Sequence, residues 1–161
     1  ARLRKHFTEY YDKHSADHSE PYKGIPELLA SLQEMGVNLA VASNKYQSAV
    51  ESLIYRFFPD IRWAAVEGQK EGVPVKPDPS IVFEILGKCP TPKDDVLYVG
   101  DSGVDMETAR RACIDSVGVT WGFRPVKELR EYQATHIVTL PAAILPLVSS
   151  PTSPTALQPF I

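Results

Sequence analysis

Short apolar runs separated by amphipathic segments are what most limits the fold of this chain. Leu39-Ala40-Val41-Ala42 and Val96-Leu97-Tyr98-Val99 are apolar at every position. Runs this short read as strands, and strands apolar on both alternating faces belong in a parallel sheet covered on both sides. Between them lie segments with helical spacing: Leu28, Leu29, Leu32 and Met35, then Val50, Leu53, Ile54 and Phe57, then Ile81, Val82, Ile85 and Leu86. The alternation predicts an α/β domain. Helices are expected at 26–35 (closing at Gly36), 46–57, 80–87 and 105–113, and strands at 38–43, 62–66, 96–100, 116–120 and, more weakly, 136–139. At 161 residues the length suits one domain with a substantial core.

Three polar motifs stand where strands end. Gly100-Asp101-Ser102-Gly103-Val104-Asp105 follows the second apolar quartet and sets two carboxylates at the carboxyl end of a strand. In an open parallel sheet, ligand crevices form there, and paired acids suit a hard cation such as Mg²⁺. The plain alternative is that both acids only cap the following helix. Ser43-Asn44-Lys45 repeats the arrangement with a hydroxyl and an amide before a helix N-terminus, a natural phosphate site, or else a simple N-cap. Val75-Lys76-Pro77-Asp78-Pro79-Ser80 holds one lysine between fixed backbone segments, either a linker charge or a cation aimed at a phosphate.

In this order, Ser43-Asn44-Lys45, Lys76-Pro77-Asp78-Pro79 and Gly100-Asp101-Ser102-x-x-Asp105-Met106-x-Thr108-Ala109 resemble the haloacid dehalogenase superfamily of phosphatases, in its phosphoglycolate phosphatase-like branch. The resemblance covers nearly all of residues 20–140. It implies a Rossmann-like core in which Ser43, with Asn44, binds the phosphoryl group and Lys76 balances its charge. Asp101 would hold Mg²⁺, with Asp105 supporting the metal site. It also implies hydrolysis of a small phosphorylated metabolite through an aspartyl phosphate. Phosphoglycolate is the first expectation, with nucleotides, pyrophosphate or sugar phosphates as rivals. The family's nucleophile sits in an Asp-x-Asp motif on a central strand, and no Asp-x-Asp occurs in these residues. The expectation is therefore a C-terminal portion of a longer phosphatase, with the missing N-terminal segment as its natural partner and no turnover by this chain alone. The central position between strands 38–43 and 96–100 is then expected to be empty or filled by foreign chain. A non-catalytic anion-binding fragment is the competing reading. A receiver-like domain is a weaker third, since the first two motifs in this order speak against it.

Residues 1–20 read as the end of a helical cap, with Leu3, Phe7, Tyr10 and Tyr11 at helical spacing. Residues 21–148 read as the core, and 149–161 as a Pro/Ser/Thr tail. His14 and His18 are four apart without an evident third ligand, which favours a solvated surface. Glu67-Gly68-Gln69-Lys70-Glu71-Gly72 reads as a mobile surface loop, although the resemblance would place it at the border of the site entrance. Trp121-Gly122-Phe123-Arg124 is either the site mouth or, at Trp121, a core plug. A net charge of −3 gives no electrostatic case for nucleic acid. No apolar run approaches the ~20 residues that cross a bilayer. Cys89 and Cys113 lack metal-type spacing, Cys113 is expected to be a buried free thiol, and the cytoplasm is the expected compartment.

Overall fold

The computed structural model describes residues 5–8, 22–122 and 124–148. Six parallel strands form one sheet in the order β3-β2-β1-β4-β5-β6. They are β1 (Lys5–Thr8), β2 (Asn38–Tyr46), β3 (Trp63–Gln69), β4 (Val96–Gly100), β5 (Asp115–Val119) and β6 (His136–Val138). The helices are α1 (Ile25–Glu34), α2 (Gln47–Phe57), α3 (Ser80–Lys88), α4 (Gly103–Ala112), α5 (Val126–Glu131) and a final turn α6 (Leu145–Val148). Each expected element in the core is present, displaced by a few residues at its ends. No helix among the described residues is long and apolar enough to cross a membrane.

Strand alternation splits the core into two layers. Leu39 and Val41 of β2, with Leu97 and Val99 of β4, point into a cluster completed by Leu28, Leu29 and Leu32 of α1 and Val50 and Ile54 of α2. Ala40 and Ala42, with Val96 and Tyr98, point the other way, against Ile81, Val82 and Ile85 of α3 and Ala109 and Ala112 of α4. The small alanines of β2 let α3 approach closely, while β4 presents Tyr98, fully buried. Each such large side chain removed from water contributes about 1.5–3 kcal/mol, so these two layers carry the fold.

β2 and β4 do not pair with each other. β1 stands between them, in register with Leu39, Ala40 and Val41 on one side and Leu97, Tyr98 and Val99 on the other, so the position expected to be empty or filled by foreign chain is occupied by the chain's own Lys5–Thr8. The helical reading of residues 1–14 is thus corrected at Lys5–Thr8, which form a strand. The physical reason is the sheet. Two central strands facing a gap would leave rows of peptide groups unpaired inside an apolar layer, at about 1–3 kcal/mol each. Residues 9–14, His14 and His18, and the tail 149–161 lie outside the described residues.

Three smaller expectations are also corrected. Cys113 is exposed, because it caps α4 in a left-handed conformation (φ 62°) and turns outward. Met35 is 45% exposed, since α1 ends at Glu34 and the chain turns at Gly36 (φ 82°) before Met35 can reach the core. The charged segment 67–72 is not simply a surface loop. Glu67, Gly68 and Gln69 extend β3, and Glu67 is buried.

Candidate functional site

The carboxyl end of β4 is organised by hydrogen bonds to one buried acid. Ser102 caps α4, its Oγ accepting from the Asp105 amide at 3.3 Å and donating to Asp105 Oδ2 at 3.0 Å. The same Oδ2 accepts the Asp101 amide at 3.1 Å. Asp105 Oδ1 receives the Tyr98 hydroxyl at 3.3 Å and the Lys76 ammonium at 3.0 Å. Asp105 is wholly excluded from solvent, and Lys76 nearly so, with side-chain exposures of 0% and 1%.

Lys76 is aimed from a separate segment, and Asn44 is what aims it. The Asn44 side-chain carbonyl accepts the Lys76 amide at 3.0 Å, and its side-chain NH₂ group donates to the Lys76 carbonyl at 3.4 Å. Asn44 therefore grips the lysine backbone with both ends of its amide. From there the ammonium reaches the Ala42 carbonyl at 3.3 Å as well as Asp105. Burial pushes the Lys76 ammonium below the ordinary lysine value, while the Asp105 carboxylate and the more distant Asp101 pull it back up. The structure thus brings Lys76, Asp105, Asn44 and the Asp101 backbone to one point, one residue from Ser43. Ser43 ends the buried run of β2, and its Oγ accepts the Lys45 amide at 3.1 Å, holding the hydroxyl near the end of the strand that leads into α2.

Asp101 differs from Asp105 in facing outward from this network. Its carboxylate lies against Gly122, where an added Cβ would collide with it, so the Gly122 position keeps the space this acid occupies. Tyr22, at the entry to α1, feels the same acid: burial first, and then the Asp101 charge, push its hydroxyl above the ordinary tyrosine value. Trp121 packs on the α1 side of the core and also walls an apolar groove with Tyr22, Leu140 and Leu145. Phe123 lies outside the described residues.

Among the described residues, Asp101 is the carboxylate at this edge whose placement fits a hard cation. Among the described residues no group of three or more His, Cys, Asp or Glu side chains comes together. Asp105, expected beside Asp101 at a metal, has both oxygens engaged by Lys76, Tyr98, Ser102 and the Asp101 amide. Its role in this geometry is to hold the lysine and the turn that presents Asp101. Sequence reasoning missed Tyr98 and Ser102 as parts of this network and gave Asn44 a different task. Tyr98 reads as core in an apolar quartet, and only its depth beside α4 turns its hydroxyl to use.

A second charged cluster lies at the end of β3. Glu67 receives Lys70 at 2.6 Å and Lys88 at 2.5 Å, and Lys70 also reaches Glu84 at 3.0 Å. Burial alone would raise the Glu67 carboxyl, but the bonds from Lys70 and Lys88 outweigh it and hold it below the ordinary glutamate value.

The fold recurs in known proteins. A phosphoglycolate phosphatase from Mesorhizobium japonicum is 31% identical over 138 residues, which is 86% of this chain and 60% of that protein. An N-acetylmuramic acid 6-phosphate phosphatase from Pseudomonas aeruginosa is 29% identical over 144 residues, 89% of this chain and 64% of that protein. A crystal structure from Lactobacillus delbrueckii subsp. bulgaricus, described as a "putative phosphoglycolate phosphatase", superposes with a TM-score of 0.78 at 36% identity. It covers 86% of this chain and 58% of that one. The chain thus spans about 60% of the length of such relatives. The haloacid dehalogenase-like hydrolase family profile matches residues 2–119, and the chain belongs to that family.

Proposed function

We propose that this chain supplies the phosphoryl-holding and charge-balancing part of a Mg²⁺-dependent phosphate monoester hydrolase, phosphoglycolate phosphatase-like in its substrate. The observation that carries the reading is the buried Lys76 ammonium, fixed by Asp105 and Asn44 beside Ser43 at the carboxyl edge of the sheet. A cation held away from water interacts more strongly with a phosphoryl group than an exposed one does. It also needs no reorganisation as charge develops in the transition state.

In this reading the Ser43 hydroxyl and the backbone amides near the end of β2 hold phosphoryl oxygens, and Lys76 offsets their charge. Asp105 keeps the ammonium in place and orders the turn that presents Asp101. Mg²⁺, bound through Asp101, would supply Lewis-acid polarisation of the phosphoryl oxygens and a template for their orientation. The carboxylate nucleophile that forms the covalent phosphate ester is assigned to polypeptide outside these 161 residues, so this chain alone is expected to be silent. Phosphoglycolate is the first substrate to try, because several relatives bear that name.

The test is phosphate release from phosphoglycolate by a polypeptide in which this chain is joined to the preceding segment of such a relative. Lys76→Ala and Asp101→Ala are each expected to lower turnover by orders of magnitude in that protein. Losses below about tenfold, ~1.4 kcal/mol, would overturn the assignment of these residues. Turnover by the 161-residue chain alone would overturn the assignment of the nucleophile to another segment.

A further inference from the structure

The turn that carries Asp101 is held from two sides. On its inner side, Asp105 Oδ2 accepts the Asp101 amide at 3.1 Å and the Ser102 hydroxyl at 3.0 Å. The next residue is bound from a different element. The Gly103 amide donates to Glu128 Oε2 at 2.6 Å, across 25 residues of sequence. Gly103 opens α4, so its amide is one of the helix-terminal donors that has no acceptor within the helix. The helix dipole favours a carboxylate there, and the hydrogen bond to it is charge-assisted. Arg124 Nη1 lies 3.6 Å from Glu128 Oε1, so the two oxygens of Glu128 face different partners.

α5 can act on this turn because it is anchored to the sheet. Leu129 is fully buried, and a Cβ added to Gly118 of β5 would meet its side chain. Tyr132 follows Glu128 by one helical turn, its amide donating to the Glu128 carbonyl at 3.0 Å, so the two side chains share a face. The Tyr132 ring lies over Gly103, where an added Cβ would strike it. The connection from β5 to α5 passes Gly122, against which the Asp101 carboxylate lies. α5 therefore borders Asp101 twice, at Gly103 directly and at Gly122 through the chain that leads into the helix.

We infer that Glu128 is a positioning residue for Asp101: by holding the Gly103 amide from α5, it fixes the turn so that the Asp101 carboxylate meets a cation at the sheet edge. Asp105 secures the Asp101 and Ser102 side of the turn, and Glu128 secures the Gly103 side. A turn pinned at one end can pivot, and one pinned at both cannot. Groups that hold a metal need surroundings that keep them within about 0.5 Å of the productive place. The inference rests on the reading of Asp101 as the cation's ligand given above.

The experiment uses the 161-residue chain, with Mg²⁺ alone as the probe and hydrogen exchange at the Gly103 amide as a readout that needs no metal. Glu128→Ala is expected to quicken that exchange and to raise the Mg²⁺ dissociation constant, each at least about fivefold. Glu128→Gln keeps an acceptor oxygen without the charge and is expected to recover most of both. Glu131→Ala removes the same charge from an exposed position of α5 and is expected to change neither. Equal effects of Glu131→Ala and Glu128→Ala would mean a long-range charge effect and would overturn the inference, as would a Glu128→Gln variant as impaired as Glu128→Ala. Faster exchange at Gly103 with unchanged Mg²⁺ affinity would make the contact structural only and would overturn it too. Asp101→Asn separates the two claims. Mg²⁺ binding that survives Asp101→Asn, or no Mg²⁺ binding by the parent chain, overturns the reading of Asp101 and the inference with it. Binding lost in Asp101→Asn but intact in Glu128→Ala overturns the positioning role alone.

Discussion

Asp105 and Glu67 are both carboxylates shut away from water near the carboxyl end of the sheet, and both are paired with lysine, yet their settings differ. The partner of Asp105 is equally buried, with Lys76 1% exposed. The partners of Glu67, Lys70 and Lys88, are 36% and 55% exposed. Lys76 has no water to fall back on, so its charge is held by Asp105 and by the Ala42 carbonyl of β2. Lys70 and Lys88 reach down from solvent, and their pairs are screened and replaceable. The Asp105 pair is closed to water on both sides, whereas the Glu67 cluster is open to it through both of its lysines.

The largest effect should come from breaking the closed pair. Asp105→Ala leaves the Lys76 ammonium buried without its carboxylate and is expected to cost about 3–5 kcal/mol in urea unfolding. Replacing both members together, Lys76→Met with Asp105→Leu, should recover much of that loss, since apolar side chains need no partner. A loss below about 1 kcal/mol for Asp105→Ala would remove the distinction between the two clusters.

Glu67 should answer more mildly, and with a pH signature. Its folded value lies below its ordinary one, so its contribution is fully present above the unfolded glutamate value and is lost as pH falls through the folded value. The parent chain should exceed Glu67→Gln by about 1 kcal/mol near neutrality. That gap should close below about pH 4, as followed by denaturant midpoints. A gap that persists in acid would show that Glu67 acts by shape alone.

The smallest effect belongs to Lys88→Ala, about 0–1 kcal/mol at low salt and less at high salt. Salt-independent loss would mean that Lys88 stabilises through its alkyl stem rather than its charge.

How far the sequence could be read depended on the range of the causes. The quartets at 39–42 and 96–99 announced their strands, because a short run apolar on both faces has few other places to go. Lys76, Asp101 and Asp105 stood out by residue type, the two acids also by their place directly after β4. Their division of labour did not follow from spacing. Both acids sit in one turn, and it is the start of α4 at Gly103, capped by Ser102, that turns Asp105 inward and leaves Asp101 at Gly122. Glu67 was hidden inside a charged, glycine-containing stretch, and only the approach of Lys70 and Lys88 makes its burial tolerable.

Residues 5–8 mark the boundary most clearly. Local periodicity there favours a helix, through Leu3, Phe7, Tyr10 and Tyr11. The sheet overrules it, because β2 and β4 each present a row of peptide groups that must be paired. The sequence by itself determined the α/β class, the order of its core elements and the chemical character of its strand-end motifs, since these rest on near-neighbour patterns of apolar and polar residues. Tertiary structure alone decided which acid holds the lysine, which faces the open edge and which segment fills the centre of the sheet. Those outcomes depend on desolvation and on partners far apart in the chain, from Asn44 and Lys76 to Tyr98 and Asp105.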